Sequence, residues 1–328
     1  MCPRSNRASH ATSGKVEFLK TISAYFKIIR PKNLLMVALT QGIIYHYLFA
    51  SVGTYTTLQG FILYLFISTT VLIAAGGYVI NDIADFKADF INKPHKTYIP
   101  YPITERNGWI FYISIVIAGF LISIFVAWKT QNIPLITLYP LASMLLYFYS
   151  FKYKNSVLTG NIIVSLFIAF VSGIVMVAER HFLFHSNSQL QSEAVLNILI
   201  FFMVFSFLVN LIREIIKDIE DAEGDKTQGI MTLPIKYGFT RAKNICIILL
   251  VVTIAILLIW IISTTLLLDF RVKVYLGLLV VAPLIIIIQI LTKSTQKKDF
   301  QHISSILKWT MLAGLGACIL MSQTIIHD

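Results

Sequence analysis

The stretch Phe61–Asp89, "FILYLFISTTVLIAAGGYVINDIADFKAD", decides how this chain folds. Its first twenty residues carry no charge. That is the length an α-helix needs to cross the roughly 30 Å hydrocarbon core of a bilayer. Its last nine residues reverse the chemistry and bring in Asp82, Asp85 and Asp89. The same juxtaposition occurs again in "LVNLIREIIKDIEDAEGD", Leu208–Asp225, where Asp218, Asp221 and Asp225 repeat the spacing D-x-x-D-x-x-x-D and the opening Asp-Ile.

The rest of the chain extends the apolar half of this pattern. Its 328 residues are 57% hydrophobic and 13% charged, with a mean hydropathy of +0.77, a composition that excludes a soluble enzyme. Nine membrane-length segments are predicted: 34–51, 61–81, 108–127, 133–150, 158–178, 196–217, 244–263, 272–292 and 304–326. The fourth is interrupted by Pro134 and Pro140. The expected fold class is therefore an all-α integral membrane protein with its termini on opposite sides of the bilayer. Residues 1–27 are expected to be a basic, flexible cytoplasmic segment and residues 28–328 the transmembrane unit. Within the former, residues 1–15 are basic and free of acids; a positive-inside tail is favoured over a targeting segment.

Charge tests the nine-segment reading independently. With the N-terminus cytoplasmic, 23 of the 27 Lys and Arg residues fall on that side, leaving Lys129, Arg180, Arg271 and Lys273 outside. The formal net charge of +11 is thus mainly an orientation signal, and nothing requires nucleic acid as a partner. The second and sixth segments then both end at the cytoplasmic face, so both acidic repeats and their loops lie there.

Offsets of 0, 3 and 7 at ~100° per residue keep each set of three carboxylates within about 60° of a helix face. Such stripes are costly. Acids near a helix C-terminus oppose its dipole, like charges one turn apart repel by ~0.2–0.5 kcal/mol, and a charge set deeper costs ~2.5–3.5 kcal/mol. A bound cation offsets these costs, and carboxylate oxygens suit Mg²⁺ or Mn²⁺. Two such stripes at one face point to a diphosphate, with Lys87, Lys93, Lys96, Arg213, Lys217 and Lys226 available to its oxygens. Neutralising the leaving diphosphate favours heterolysis of an allylic C–O bond, and a membrane cavity keeps water from the resulting cation. Tyr78, Phe86, Tyr139, Tyr147 and Tyr149 are the aromatic candidates for facing it.

These motifs resemble those of the UbiA superfamily of intramembrane prenyltransferases. "NDIADFKAD" is similar to its first N-D-x-x-D-x-x-x-D motif, and Asp221 and Asp225 match its second. The likeness runs from "IIRPKNLL" (Ile28–Leu35) to the last segment. "REIIKDIEDAEGDKTQGIMTLPIKYG" (Arg213–Gly238) looks most like the branch that makes digeranylgeranylglyceryl phosphate, and "YSFKYKNSVLTGN" (Tyr149–Asn161) is similar to a Tyr/Lys-bearing stretch of the family. The resemblance implies nine helices around a central cavity, capped by the loops after the second and sixth helices. It also implies Mg²⁺-dependent prenyl transfer from an allylic diphosphate to a lipid acceptor, with no obligate protein partner evident. Asn81, Asp85, Asp89, Asp218, Asp221 and Asp225 become the expected metal set. Asp82, Asp85, Asp218 and Asp221 are the expected catalytic carboxylates. Asn81, Arg30, Asn33, Lys96, Tyr149, Lys154, Arg213 and Lys217 are the expected substrate contacts. For an acceptor with its own phosphate, Lys32 and Lys152 join Arg30 and Lys154. In "NKPHKTYIPYP" (Asn92–Pro102), Lys93 and Lys96 stand where the family commonly has arginines, replacing a bidentate grip by point charges.

The other residues carry less. Cys2, Cys246 and Cys318 have no ligand or disulfide spacing. Of the seven scattered histidines only His95 lies beside a motif, and "HSNSQLQSE" (His185–Glu193) reads as an outer polar loop. Two other functions fit parts of the pattern. A cation transporter places carboxylates near the bilayer midplane on broken helices. An enzyme of the same fold with an aromatic acceptor, such as a quinone precursor, differs in cavity shape, which residue spacing does not reveal.

Overall fold

The computed structural model describes residues 6–51, 56–92, 97–153, 156–185, 189–227, 229–264 and 268–327. Among them every regular element is helical. In chain order these are α1 (Asn6–Ile28), α2 (Pro31–Ile44), α3 (Phe61–Asn92), α4 (Glu105–Thr130), α5 (Pro134–Phe148), α6 (Thr159–Ala178) and α7 (Arg180–His185). There follow α8 (Gln189–Thr227), α9 (Leu233–Tyr237), α10 (Phe239–Ser263), α11 (Phe270–Leu276), α12 (Ala282–Lys293) and α13 (Lys297–His327). Wider π-helical turns extend α2 through Ala50 and α5 through Tyr153, and join α11 to α12. Nine helical spans among the described residues are long and apolar enough to cross a bilayer, and they coincide with the nine segments expected from hydropathy.

Two of these helices are much longer than a bilayer requires. The 32 residues of α3 and 39 of α8 correspond to about 48 and 58 Å, against roughly 30 Å of hydrocarbon. The surplus turns carry both acidic repeats beyond the apolar window without breaking the helix. Each stripe thereby keeps the angular register that its spacing predicts.

Two segments differ from expectation. Within residues 1–27, expected to be flexible, the chain is helical from Asn6 onward as α1 (Asn6–Ile28). From Phe18 onward it is apolar on two sides: Ala24 and Ile28 are buried in a core shared with α3, while Phe18, Leu19, Ile22 and Phe26 face outward. A segment that apolar does not behave as a polar tail. The chain turns between α1 and α2 at Arg30, which has φ 54°, just before Pro31 opens α2. Pro31 removes an amide the first turn does not need and prevents α1 from continuing straight. The second difference is the polar loop His185–Glu193, which is shorter because α8 already begins at Gln189.

The packing is organised around α8, which touches α3, α6, α10 and α13, while α2 lies against α3, α6 and α13. The core between α6, α8, α10, α12 and α13 is continuous and apolar, mostly aliphatic with Phe202, Phe205, Trp260 and Phe300 among it. The inner faces of α2, α3, α5, α6 and α8 instead leave a space between them. At the end opposite the acidic motifs, the fully buried Glu179 accepts hydrogen bonds from the amides of Thr57 and Leu58, both at 2.7 Å. Burial raises the pKa of this carboxyl, opposed by the two amides. Glu179→Ala removes both acceptors and should lower stability by about 3 kcal/mol, read as a fall in melting temperature in detergent. An unchanged melting temperature would mean that water replaces the carboxylate at both amides.

Candidate active site

The space between α2, α3, α5, α6 and α8 is a cavity of about 570 Å³. On α3 its wall is formed by Thr70, Ile73, Ala74, Gly77, Tyr78, Asn81, Asp82 and Asp89. On α8 it is formed by Asn210, Arg213, Glu214, Lys217, Asp218, Asp221 and Asp225. Both sets step by three and four residues along one helix face, as α-helical geometry requires. Polar side chains line the end at the helix C-termini, and the opposite end is lined by Val37, Leu138, Phe167, Val171 and Ile174. Tyr98, Ile230 and Thr232, from the loops after α3 and α8, contribute to the polar end.

Several charged groups there are held by neighbours. The left-handed turn at residue 30 points the Arg30 side chain at α3, where Nη2 donates to Oδ1 of Asp82 at 2.6 Å. The same guanidinium lies 4.9 Å from the centre of the Tyr78 ring, so that aromatic face already carries a cation. On α8, Glu214 Oε1 accepts from Arg213 Nη1 at 3.0 Å and from Lys217 Nζ at 2.7 Å. Arg213 Nε is buried with no hydrogen-bond partner among the described residues. A buried guanidinium N–H in this state costs free energy unless an acceptor arrives. Asp218 Oδ2 accepts from Asn161 Nδ2 at 2.7 Å, tying α8 to α6, and Lys308 Nζ of α13 donates to Asn33 Oδ1 at 2.8 Å.

Asn81, Arg30, Asn33, Tyr149, Arg213 and Lys217 line the cavity, as do Asp82, Asp89, Asp218, Asp221 and Asp225. Asp85 is buried at 8% exposure and is not among the lining residues. Lys93, His95, Lys96 and Lys154 lie outside the described residues. Lys32, Lys87, Lys152 and Lys226 are exposed and away from the cavity wall. Of the aromatic candidates, Tyr78 and Tyr149 line the wall. Phe86 does not, Tyr139 is buried against Gly119 of α4, and Tyr147 packs with Trp109 and Phe151.

The polar contributors beyond those expected from the sequence include Asn161, Asn210, Glu214, Tyr98 and Lys27. Asn161 has a legible signal, because Asn161 and Ser165 form a polar i, i+4 pair in a largely apolar helix. Ser165 meets Asn210 of α8 at 3.3 Å, just as Asn161 meets Asp218. Lys308 enters a charge count only as an orientation signal, yet it holds Asn33.

This lining bears directly on a metal. Six carboxylates (Asp82, Asp89, Glu214, Asp218, Asp221 and Asp225) face four cations (Lys27, Arg30, Arg213 and Lys217) around one cavity. A diphosphate entering alone would add negative charge to a wall that already has an excess of it. A divalent cation with oxygen affinity reverses that balance, and the donor set fits one. Among the described residues, no three His, Cys, Asp or Glu side chains already converge as a metal site. The donors are spread over two helices and leave positions for ligand oxygens, as Mg²⁺ sites commonly do.

Comparison with known proteins places the chain in a family. The UbiA prenyltransferase family matches residues 34–312. The digeranylgeranylglyceryl phosphate synthase of Methanococcus aeolicus is 32% identical over 219 residues, 66% of this chain and 69% of that protein. The synthase of the same name from Sulfolobus acidocaldarius is 34% identical over 221 residues, 66% of this chain and 70% of that protein. Among solved structures, one of a digeranylgeranylglyceryl phosphate synthase superposes with a TM-score of 0.62 at 24% identity, covering 92% of this chain and 99% of that one. A UbiA homologue from Archaeoglobus fulgidus bound to GPP and Mg²⁺ superposes at 0.57 with 14% identity, covering 90% and 99%. With nine spans, two acidic stripes on one cavity and a family match over most of its length, this integral membrane protein belongs to the UbiA prenyltransferase family.

Proposed function

We propose that this enzyme transfers a geranylgeranyl group from its allylic diphosphate to the free hydroxyl of geranylgeranylglyceryl phosphate. The observation that carries the reading is the cavity itself, acidic and cationic at one end and aliphatic at the other. A diphosphate head and an isoprenoid tail have that same polarity. The matched relatives named as digeranylgeranylglyceryl phosphate synthases support the choice of acceptor.

Asn81, Asp89, Asp218, Asp221 and Asp225 would hold Mg²⁺, with Asp85 on the same stripe behind them. When bound, Mg²⁺ supplies positive charge against the leaving diphosphate. Arg213 and Lys217 address phosphate oxygens, and the buried Arg213 Nε is a donor awaiting such an acceptor. The allylic C–O bond breaks, the electron pair leaves with the diphosphate, and the apolar walls keep water from the carbocation. Tyr149 offers it an aromatic face, that of Tyr78 being taken by Arg30. The acceptor oxygen then forms the new C–O bond and releases its proton to a carboxylate. Asp218, which accepts from Asn161, is the carboxylate assigned that role in this reading, in preference to Asp82, which Arg30 already engages. The 23-to-4 division of Lys and Arg supports a cytoplasmic mouth and a cytoplasmic N-terminus. Residues 28–328 then form the catalytic unit, with α1 at its cytoplasmic edge.

The test is acceptor competition at fixed geranylgeranyl diphosphate. Label should enter the glyceryl phosphate lipid in preference to hydroxybenzoate, and transfer should stop with EDTA and return with Mg²⁺. Efficient prenylation of hydroxybenzoate with the glyceryl phosphate ignored would reject this acceptor and leave an aromatic prenyltransferase.

A further inference from the structure

The aliphatic end of the cavity is closed by a polar clasp. Gln41 of α2 is fully buried one turn below Val37, the last residue of α2 to line the cavity. Its Nε2 donates to Thr70 Oγ1 of α3 and to the carbonyl of Val171 in α6, both at 3.0 Å. Thr70 and Val171 belong to the cavity wall, so one side chain ties together three of the helices at its deep end. Gln41 Oε1 has no hydrogen-bond partner among the described residues. A buried amide left half satisfied in an apolar bundle is costly, and it calls for a reason beyond helix packing. Beneath the clasp the bundle is solid, with Ile44, Phe49, Phe66 and Val175 all essentially inaccessible.

A second feature lies beside it. Ile73 of α3 and Ile174 of α6 line the main cavity and also a separate void of about 10 Å³ bounded by Phe66, Ser123 and Tyr139. These two isoleucines are the partition between the spaces.

We propose that the Gln41 clasp and the Ile73–Ile174 partition set the length of the transferred isoprenoid at four isoprene units. This rests on the prenyl-transfer reading above and adds the residues that measure the chain. Asn161, bonded to Asp218, marks the polar end of α6, and Ile174 lies thirteen residues further, about 20 Å along the axis. Three extended backbone bonds advance a chain by roughly 3.5 Å, so a four-bond isoprene repeat advances about 4.7 Å and four repeats about 19 Å. A fifth unit meets the clasp. Gln41 cannot swing aside without breaking two hydrogen bonds that hold three helices, whereas the isoleucines can be trimmed individually.

The experiment offers allylic diphosphates of three, four, five and six units to the purified full-length enzyme with geranylgeranylglyceryl phosphate as acceptor, and reads labelled lipid. The wild type should use the five-unit donor with a kcat/KM about tenfold or more below that for four units. Ile174→Ala and Ile73→Ala should each raise the five-to-four ratio about tenfold. Ile174→Phe, which fills the deep end, should raise the three-to-four ratio instead. Because these variants lie on two helices and change volume in opposite directions, poor folding of one leaves the others to decide. A wild type indifferent to four, five or six units, or ratios unmoved in the variants, overturns the ruler while leaving prenyl transfer intact. Absence of transfer from every donor overturns the proposed reaction with this acceptor, and the ruler that rests on it.

Discussion

Asp221→Asn is expected to cut prenyl transfer by on the order of 10²–10³-fold while the protein still inserts and melts normally. Asp221 lies on the cavity-facing stripe of α8, between Asp218 and Asp225, in a helix whose fold depends on its aliphatic side. Replacing its carboxylate by an amide keeps the shape and removes one negative charge from the set that balances a cation. If that charge acts through Mg²⁺, the loss should be accompanied by a higher Mg²⁺ concentration for half-maximal rate. Asp85→Asn is the instructive companion. Asp85 shares the α3 stripe with Asp82 and Asp89 but lies behind the lining residues. An equal loss in Asp85→Asn would show that this carboxylate turns into the cavity when the substrate binds. Near-normal turnover in both variants would remove the basis for a metal held between α3 and α8.

The second large effect is expected at Arg30, where folding and chemistry meet. Its guanidinium neutralises Asp82, which is only 10% exposed at the side chain, while Arg30 itself is 41% exposed. Arg30→Ala leaves a carboxylate in a poorly hydrated position at a cost of about 1–3 kcal/mol, toward the lower end because water reaches the arginine's place. Activity should fall about 100-fold, since the cavity loses a cation and Asp82 becomes free to compete for metal. Arg30→Lys should recover little, because a compact ammonium cannot both reach Asp82 and lie flat over Tyr78. The double variant Arg30→Ala/Asp82→Asn should recover the melting temperature but not the rate, as no buried charge remains and neither does the cation. A double variant melting no higher than Arg30→Ala would assign the loss to the left-handed turn at residue 30 instead of the ion pair.

What was legible beforehand follows from how far each signal acts along the chain. Transmembrane segments are local: about twenty apolar residues satisfy their own backbone hydrogen bonds as a helix wherever they stand in lipid. All nine were therefore readable from composition alone, and so was the angular alignment of Asp82 with Asp89 and of Asp218 with Asp225. Charge alone makes residues 1–27 read as a tail; the helix there follows from Phe18, Leu19, Ile22 and Phe26 on one side and Ala24 and Ile28 on the other, which make α1 apolar on two sides.

Partnerships between helices are not local. Arg30 with Asp82 spans 52 residues, Asn161 with Asp218 spans 57, and Lys308 with Asn33 spans 275. No periodicity along one helix specifies which rotation it presents to another, because every outward face in lipid is apolar and so is most of the inward packing. The same ambiguity hides Gln41, an amide among apolar residues of α2 whose partners Thr70 and Val171 come from two other helices. By itself the sequence determined the nine spans, the two carboxylate stripes and the chemistry they favour, since these depend on residue type and spacing. Only the tertiary structure decided which cations answer which acids, which aromatic rings reach the cavity and where that cavity ends. Those outcomes depend on how rigid helices dock, and docking is set by side-chain contacts between residues far apart in the chain.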